Sequence, residues 1–181
     1  MEIVIDAQII NAYFKEEVKE KPSKDLTDSA SKVMQRLGKE DRVNLDNEDH
    51  IAKEWRQVVE PEWFDAWYSN LLQTGAARVL PVDSYSSLRK KLEKVGFPTK
   101  GPGGRDFWYI RVAKAVVDSK ISDSCYLISE DMDFHHPKLK RRARGKTRLR
   151  ILHNPKSPVK KVLSKENIFV HCISTYLKSV E

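Results

Sequence analysis

Short apolar runs of strand length take turns along the chain with stretches whose apolar residues recur every three or four positions. "EIVID" (2–6) is β-branched and suited to a buried strand, and "AQIINAYF" after it has helical character. In "LTDSASKVMQRLG", Leu26, Ala30, Val33, Met34 and Leu37 share one helical face, with Gly38 where a helix stops. "RVNLD" (42–46) is a second strand, and Ile51, Trp55, Val58 and Val59 then return at helical spacing. Pro61 opens another helix, in which Trp63, Trp67 and Leu71 lie four apart before "QTG" ends it. These tryptophans are read as core residues, with nucleotide stacking as the alternative. "AARVLPV" is a third strand, "SYSSLRKKLEKVG" and "DFWYIRVAKAVVD" are helices, "SCYLIS" is a fourth strand and "NIFVH" a fifth. Strands that alternate with helices predict an α/β fold: three layers, α/β/α, around a central, mainly parallel sheet of about five strands.

At 181 residues the chain fits one domain, and no repeat or low-complexity linker divides it. Hydrophobic residues at 40% and charged residues at 33% belong to a folded, soluble chain. No apolar run approaches the ~20 residues of a membrane span, and "MEIVIDAQII" places acid where a secretory signal carries base. A cytoplasmic location is expected. Cys125 and Cys172 lack metal-ligand spacing and read as buried free thiols.

The net charge of +7 is concentrated in one segment. Residues 134–165 contain twelve Lys and Arg and no Asp or Glu. This insertion, about thirty residues between the fourth and fifth strands, is longer than ordinary α/β connections. Within it "TRLRILH" alternates well enough for a strand or hairpin arm. Such a block suits a polyanion, nucleic acid or an anionic membrane; a solvated loop without a ligand is the plain alternative. His135 and His136 head it and read as solvated, with metal or phosphate contact as the alternative.

The acids fall at informative places. Asp6 closes the first strand and Asp131 stands just past the fourth, where ligands of parallel sheets gather. Glu54 shares the inward face of its helix with Ile51 and Val58. Asp106 heads the stripe Ile110, Ala113 and Val117 behind "TKGPGGR", a loop able to turn sharply and expose backbone amides. Helix capping explains Asp6, Asp106 or Asp131 singly, and a half-buried ion pair explains Glu54. Four such acids on separate strand–helix units are a set.

The order of "VIDAQIINAYF", "HIAKEW", "GRDFWYIRVAKA" and "YLISEDMDF" resembles the PIN-domain nucleases over nearly the whole chain. The resemblance implies a PIN-like fold whose acidic quartet is Asp6, Glu54, Asp106 and Asp131, with Ser129 as the small hydroxyl residue before the last acid. Asp133 and Phe134 complete a "D-x-D-F" ending. Gln8 departs from the family, which tends to have Ser, Thr or Asn there, and the basic insertion is longer than in compact PIN toxins. Mg²⁺ or Mn²⁺ is the implied cofactor, since hard ions take carboxylate oxygens, and phosphodiester hydrolysis, usually of RNA, is the implied activity. Asp6 and Asp131 are then the principal metal ligands, Asp106 completes the site, Glu54 is a ligand or orients the attacking water, and Asp133 is a weaker candidate.

Lys138, Lys140, Arg141, Arg142 and Arg144 are the leading phosphate contacts, with Lys100 and Arg105 beside the glycine loop as further ones. The resemblance leaves room for a protein inhibitor of the antitoxin kind and for a homodimer. A small-molecule phosphoesterase or a non-catalytic nucleic-acid-binding module are the competing readings.

Overall fold

The computed structural model describes residues 1–19 and 26–181. Five parallel strands, β1 (Glu2–Ile5), β2 (Arg42–Asp46), β3 (Ala77–Leu80), β4 (Cys125–Ile128) and β5 (Ile168–His171), stand in the order β3-β2-β1-β4-β5. The helices are α1 (Ala7–Glu17), α2 (Ala30–Met34), α3 (His50–Val58), α4 (Pro61–Gln73), α5 (Ser86–Lys94), α6 (Phe107–Asp118), α7 (Met132–His135), α8 (Gly145–His153), α9 (Pro158–Ser164) and α10 (Ile173–Val180). Two 3₁₀ segments, Pro102–Asp106 and Pro137–Arg142, lead into α6 and α8. The expected three-layer α/β/α arrangement is the one observed.

Parallel strands need crossovers, and crossovers are right-handed. The chain therefore winds from β1 to β3 with one set of helices on one face, then returns past β1 to β4 and β5 with the next set on the other. Helix α6 runs across all five strands, while α1 packs against α2 and α3. The switch in winding direction falls between β1 and β4, so their carboxyl ends diverge into a crevice. Asp6 and Ser129 are the first residues beyond those ends.

The core is built from the β-branched and aromatic residues of the sheet and the inner stripes of the helices. Ile3, Val4, Ile5, Val43, Leu45, Leu127 and Ile128 are buried, as are Ile110, Val112, Ala113 and Val116 of α6. Trp55 of α3 is fully buried, and its indole Nε1–H donates to the Ile5 carbonyl at 3.1 Å. It locks the end of β1, one residue before Asp6. Trp55→Ala should cost about 3–5 kcal/mol of stability, read as the shift in a denaturant midpoint at unchanged slope. Trp63 and Trp67 are only partly buried, stacked on each other at 5.3 Å and packed against the core.

Three local expectations change. The stripe from Leu26 to Leu37 forms a helix only over Ala30–Met34, because the Glu16 carboxylate takes the backbone N–H groups of Ala30 and Ser31 and the hydroxyls of Ser29 and Ser31. "TRLRILH" is helical, inside α8: Ile151 and Leu152 turn together into a small second core with Met132, Ala143 and Cys172. His135 is buried in place of solvated, its Nε2 paired with the Ser129 carbonyl at 2.9 Å, and burial pushes its pKa down to about 3. Cys125 and Cys172 are buried free thiols. Among the described residues no helix is long and apolar enough to cross a membrane.

Candidate active site

The backbone sets the acids in place before any side chain matters. Asp6 follows β1 and starts α1, its carboxylate accepting from Gln8 N–H at 3.3 Å. Asp131 follows β4 and caps α7, accepting from Asp133 N–H at 2.8 Å. Both caps are real, and neither uses up its carboxylate. Asp106 makes no capping bond. It ends the 3₁₀ segment entered through Gly101, whose φ of 67° is one that L side chains rarely adopt. Gly104 passes so near Thr99 that a Cβ there would stand 2.9 Å from its carbonyl oxygen.

Asp106, Asp131 and Asp133 each offer an oxygen within 4.8 Å of the others. Asp6 lies behind them, buried, with Ser129 Oγ–H donating to its Oδ2 at 2.5 Å while the same hydroxyl accepts from Asp131 N–H at 3.0 Å. One serine thus couples the ends of β1 and β4. Glu54 stands on α3, half-buried, with the Tyr109 hydroxyl donating to its Oε2 at 3.1 Å and accepting from Ala7 N–H at 3.2 Å. Gln8 Nε2 donates to Asp131 Oδ2 at 3.4 Å.

The electrostatics follow from crowding in a poorly hydrated crevice. Burial pushes the Asp6 carboxyl up to about 7, against the pull of its Ser129 bond, with the Asp131 charge adding to the rise. Asp106 is raised to about 8, first by burial and then by Asp6, Asp131, Glu54 and Asp133 in that order. Glu54 is raised by burial and partly relieved by Tyr109 and Arg105. Acids that hold protons near neutrality because of burial and, after it, one another are short of positive charge.

Part of that charge comes from the basic segment. Lys140 turns inward, its ammonium 2.5 Å from Asp133 Oδ2 and 3.1 Å from Asp131 Oδ1. Lys138 packs its stem over Gly96. Arg141, Arg142 and Arg144 are exposed on the same segment, and Lys100 and Arg105 are exposed on the loop before α6. The segment is held to the site through Arg148, which donates to the Glu130 carbonyl at 2.9 Å. The buried Glu130 side chain also takes Thr27 N–H and Ile173 N–H, both at 3.2 Å.

All five candidate acids thus lie in one region, three of them within mutual reach of a single cation and Asp6 and Glu54 beside those. Four contributors escaped the sequence reading: Tyr109, the inward turn of Lys140, Glu130, and Asp46, whose carboxylate caps α3 through His50 N–H and Ile51 N–H. A tyrosine beside the inner stripe of a helix was the available signal for the first, because a buried hydroxyl needs a partner.

The fold and site define a doubly wound parallel α/β protein with an acidic centre at its topological switch point. No protein-family model matches the chain, and no curated protein matches it. Among solved structures it is similar to the crystal structure of VapBC2 from Rickettsia felis bound to a DNA fragment from their promoter, at 12% identity and a TM-score of 0.46, over 95% of this chain and 98% of that one. A likeness that slight decides nothing about chemistry, which rests on the residues themselves.

Proposed function

We propose that the acidic centre is that of a PIN-like, divalent-metal-dependent nuclease, with RNA as the preferred substrate class. The observation that supports this most is the convergence of Asp106, Asp131 and Asp133, with Asp6 and Glu54 beside them, on one crevice where their charges oppose one another. Hard oxygen donors at this spacing fit Mg²⁺ or Mn²⁺. Asp106, Asp131 and Asp133 would hold the ion, with Asp6 adding charge at the rear. Bound there, such an ion lowers the pKa of a coordinated water and offsets charge on the phosphate under attack.

The chain's own residues supply the rest. Ser129 holds Asp6 and the backbone of Asp131 in one geometry, and Gln8 steadies the Asp131 oxygen that faces it. Tyr109 occupies Oε2 of Glu54, leaving Oε1 to accept a proton from the attacking water. Lys140, which neutralises Asp131 and Asp133 in the resting protein, would turn to the substrate phosphate as cations take its place. Arg141, Arg142 and Arg144, with Lys138, Lys100 and Arg105, would contact the flanking phosphates. The whole chain acts as one domain, with residues of about 134–165 as its basic substrate-facing insertion. A protein inhibitor would cover the same crevice.

Purified protein should cut single-stranded or structured RNA in Mg²⁺ or Mn²⁺, stop when a chelator is added and resume when the ion is restored. Neutralising Arg141, Arg142 and Arg144 together should weaken binding and flatten the plot of log K against log salt by ~0.7 for each phosphate that is no longer neutralised. An unchanged slope would remove the segment from the substrate path. One observation favours a second reading, a non-catalytic nucleic-acid-binding module: Lys140 already satisfies two of the acids. Tight RNA binding without cleavage at any metal concentration would select it.

A further inference from the structure

Beside Glu54 lies a pocket of about 170 Å³, lined by His50, Lys53, Glu54, Gln57, Arg105 and Trp108. The first four recur along α3 at positions that share one helical face; the other two come from the turn into α6. Two of these lining residues form an aromatic stack. The His50 ring lies 3.5 Å from the Trp108 ring, at 12° to it, and the Arg111 guanidinium carbon is 3.6 Å from the Trp108 centroid.

Both ends of the stack are pinned. Asp46 Oδ2 lies 3.1 Å from His50 Nδ1, and Arg111 donates to the Asp83 carbonyl at 2.6 Å and to the Val82 carbonyl at 3.3 Å. The His50 side chain is nevertheless 41% exposed.

We infer that this pocket is a subsite for one unpaired nucleobase of the substrate strand, next to the phosphate at the acidic centre. The inference rests on the nuclease reading for the position of that phosphate. A base would continue the Arg111–Trp108–His50 stack, which is sequence-tolerant because every base has a π face. The Gln57 amide can donate to and accept from its edge, and Lys53 and Arg105 stand at the rim for the phosphate it carries. A pocket of about 170 Å³ suits a single planar heterocycle, and a paired base would have to leave its partner to be taken into it. Nothing is needed from the ion for a base to bind here.

The probe is a short single-stranded RNA, and its DNA counterpart, with 2-aminopurine placed at each position in turn and titrated in chelator. Quenching at one position is expected, with none in a duplex. An abasic site at that position should weaken binding roughly fivefold to a hundredfold, the range of base–aromatic stacking. Quenching with either sugar supports the base subsite, and the sugar that gives it identifies the strand. His50→Ala and Trp108→Leu should each lose the quench; His50 is exposed and its replacement leaves the core alone.

Equal affinity for abasic and intact strands at every position would overturn the inference, as would an undiminished quench in folded His50→Ala. The two readings fail separately. Cleavage in Mn²⁺ without any abasic penalty removes the pocket alone. A base-dependent quench in a protein that never cuts removes the nuclease and leaves the pocket standing.

Discussion

Asp131→Asn is expected to slow phosphodiester cleavage by at least about a hundredfold, the scale on which loss of one charge-stabilising group is felt in an active site, with the fold intact. The substitution is conservative in one role and not in the other. Asp131 Oδ1 caps α7 through Asp133 N–H, and Asn is as good a cap as Asp, so the amide oxygen can keep that bond. What is lost is the negative charge, in one of the three acids that share a cation's reach. Initial rates across a Mn²⁺ titration, with circular dichroism as the control for folding, measure it. A variant as fast as the parent would place the chemistry elsewhere.

Stability should fall as pH rises from about 6.5 to about 8 when divalent ions are chelated. Asp6 and Asp106 are raised from ordinary values near 3.8 to about 7 and about 8. In that range the folded state binds more protons than the unfolded state, so the slope of stability against pH is negative. Both carboxyls contribute stability at low pH and lose it as pH climbs through their folded values.

Three buried bases act in the opposite sense, mostly beyond the two ends of the window. His135, depressed to about 3, and His171, also lowered by burial, weaken the fold as pH drops below about 6.5. Lys160, lowered to about 8, begins to add stability at the top of the window and adds most of it as pH rises further, toward its ordinary 10.5. Thermal midpoints at about pH 6.5, about pH 7.25 and about pH 8 should therefore decline in chelator, and saturating Mn²⁺ should abolish the decline, since a bound ion displaces the protons these carboxyls otherwise hold, and should add about 2.7 kcal/mol of stability at a hundred times Kd. Asp106→Asn, which cannot titrate, should flatten the chelated profile. A rising profile in the parent protein would show that the crevice does not raise these acids.

The parallel sheet was legible because its strands are β-branched runs too short to be helices, each followed by a helical stripe or a turn signal. Glu54 was legible in part: its place among Ile51 and Val58 predicts an inward side chain, and the structure turns it to Tyr109 and buries Ile51 but leaves Val58 36% exposed at the end of the helix. The basic segment was not. Charged and apolar residues from Arg148 to Leu152 alternate at either a strand or a helix period, and the choice is made by the second core beneath α8 and by the tether from Arg148 to Glu130. The direction of Lys140 depends on the 3₁₀ turn that carries it, which no local pattern announced. Lys140 stays exposed, as is ordinary for a lysine in such a run, yet pairs with two carboxylates.

The central claim, that folding gathers distant acids into one cation-binding crevice, is tested most directly by a Mn²⁺ titration followed by electron paramagnetic resonance near neutral pH, on the parent protein and on Asp106→Asn. Saturable binding by the parent, weakened at least about tenfold in the variant, is the predicted result. Binding that is absent from the parent, or equally tight in Asp106→Asn, would contradict it.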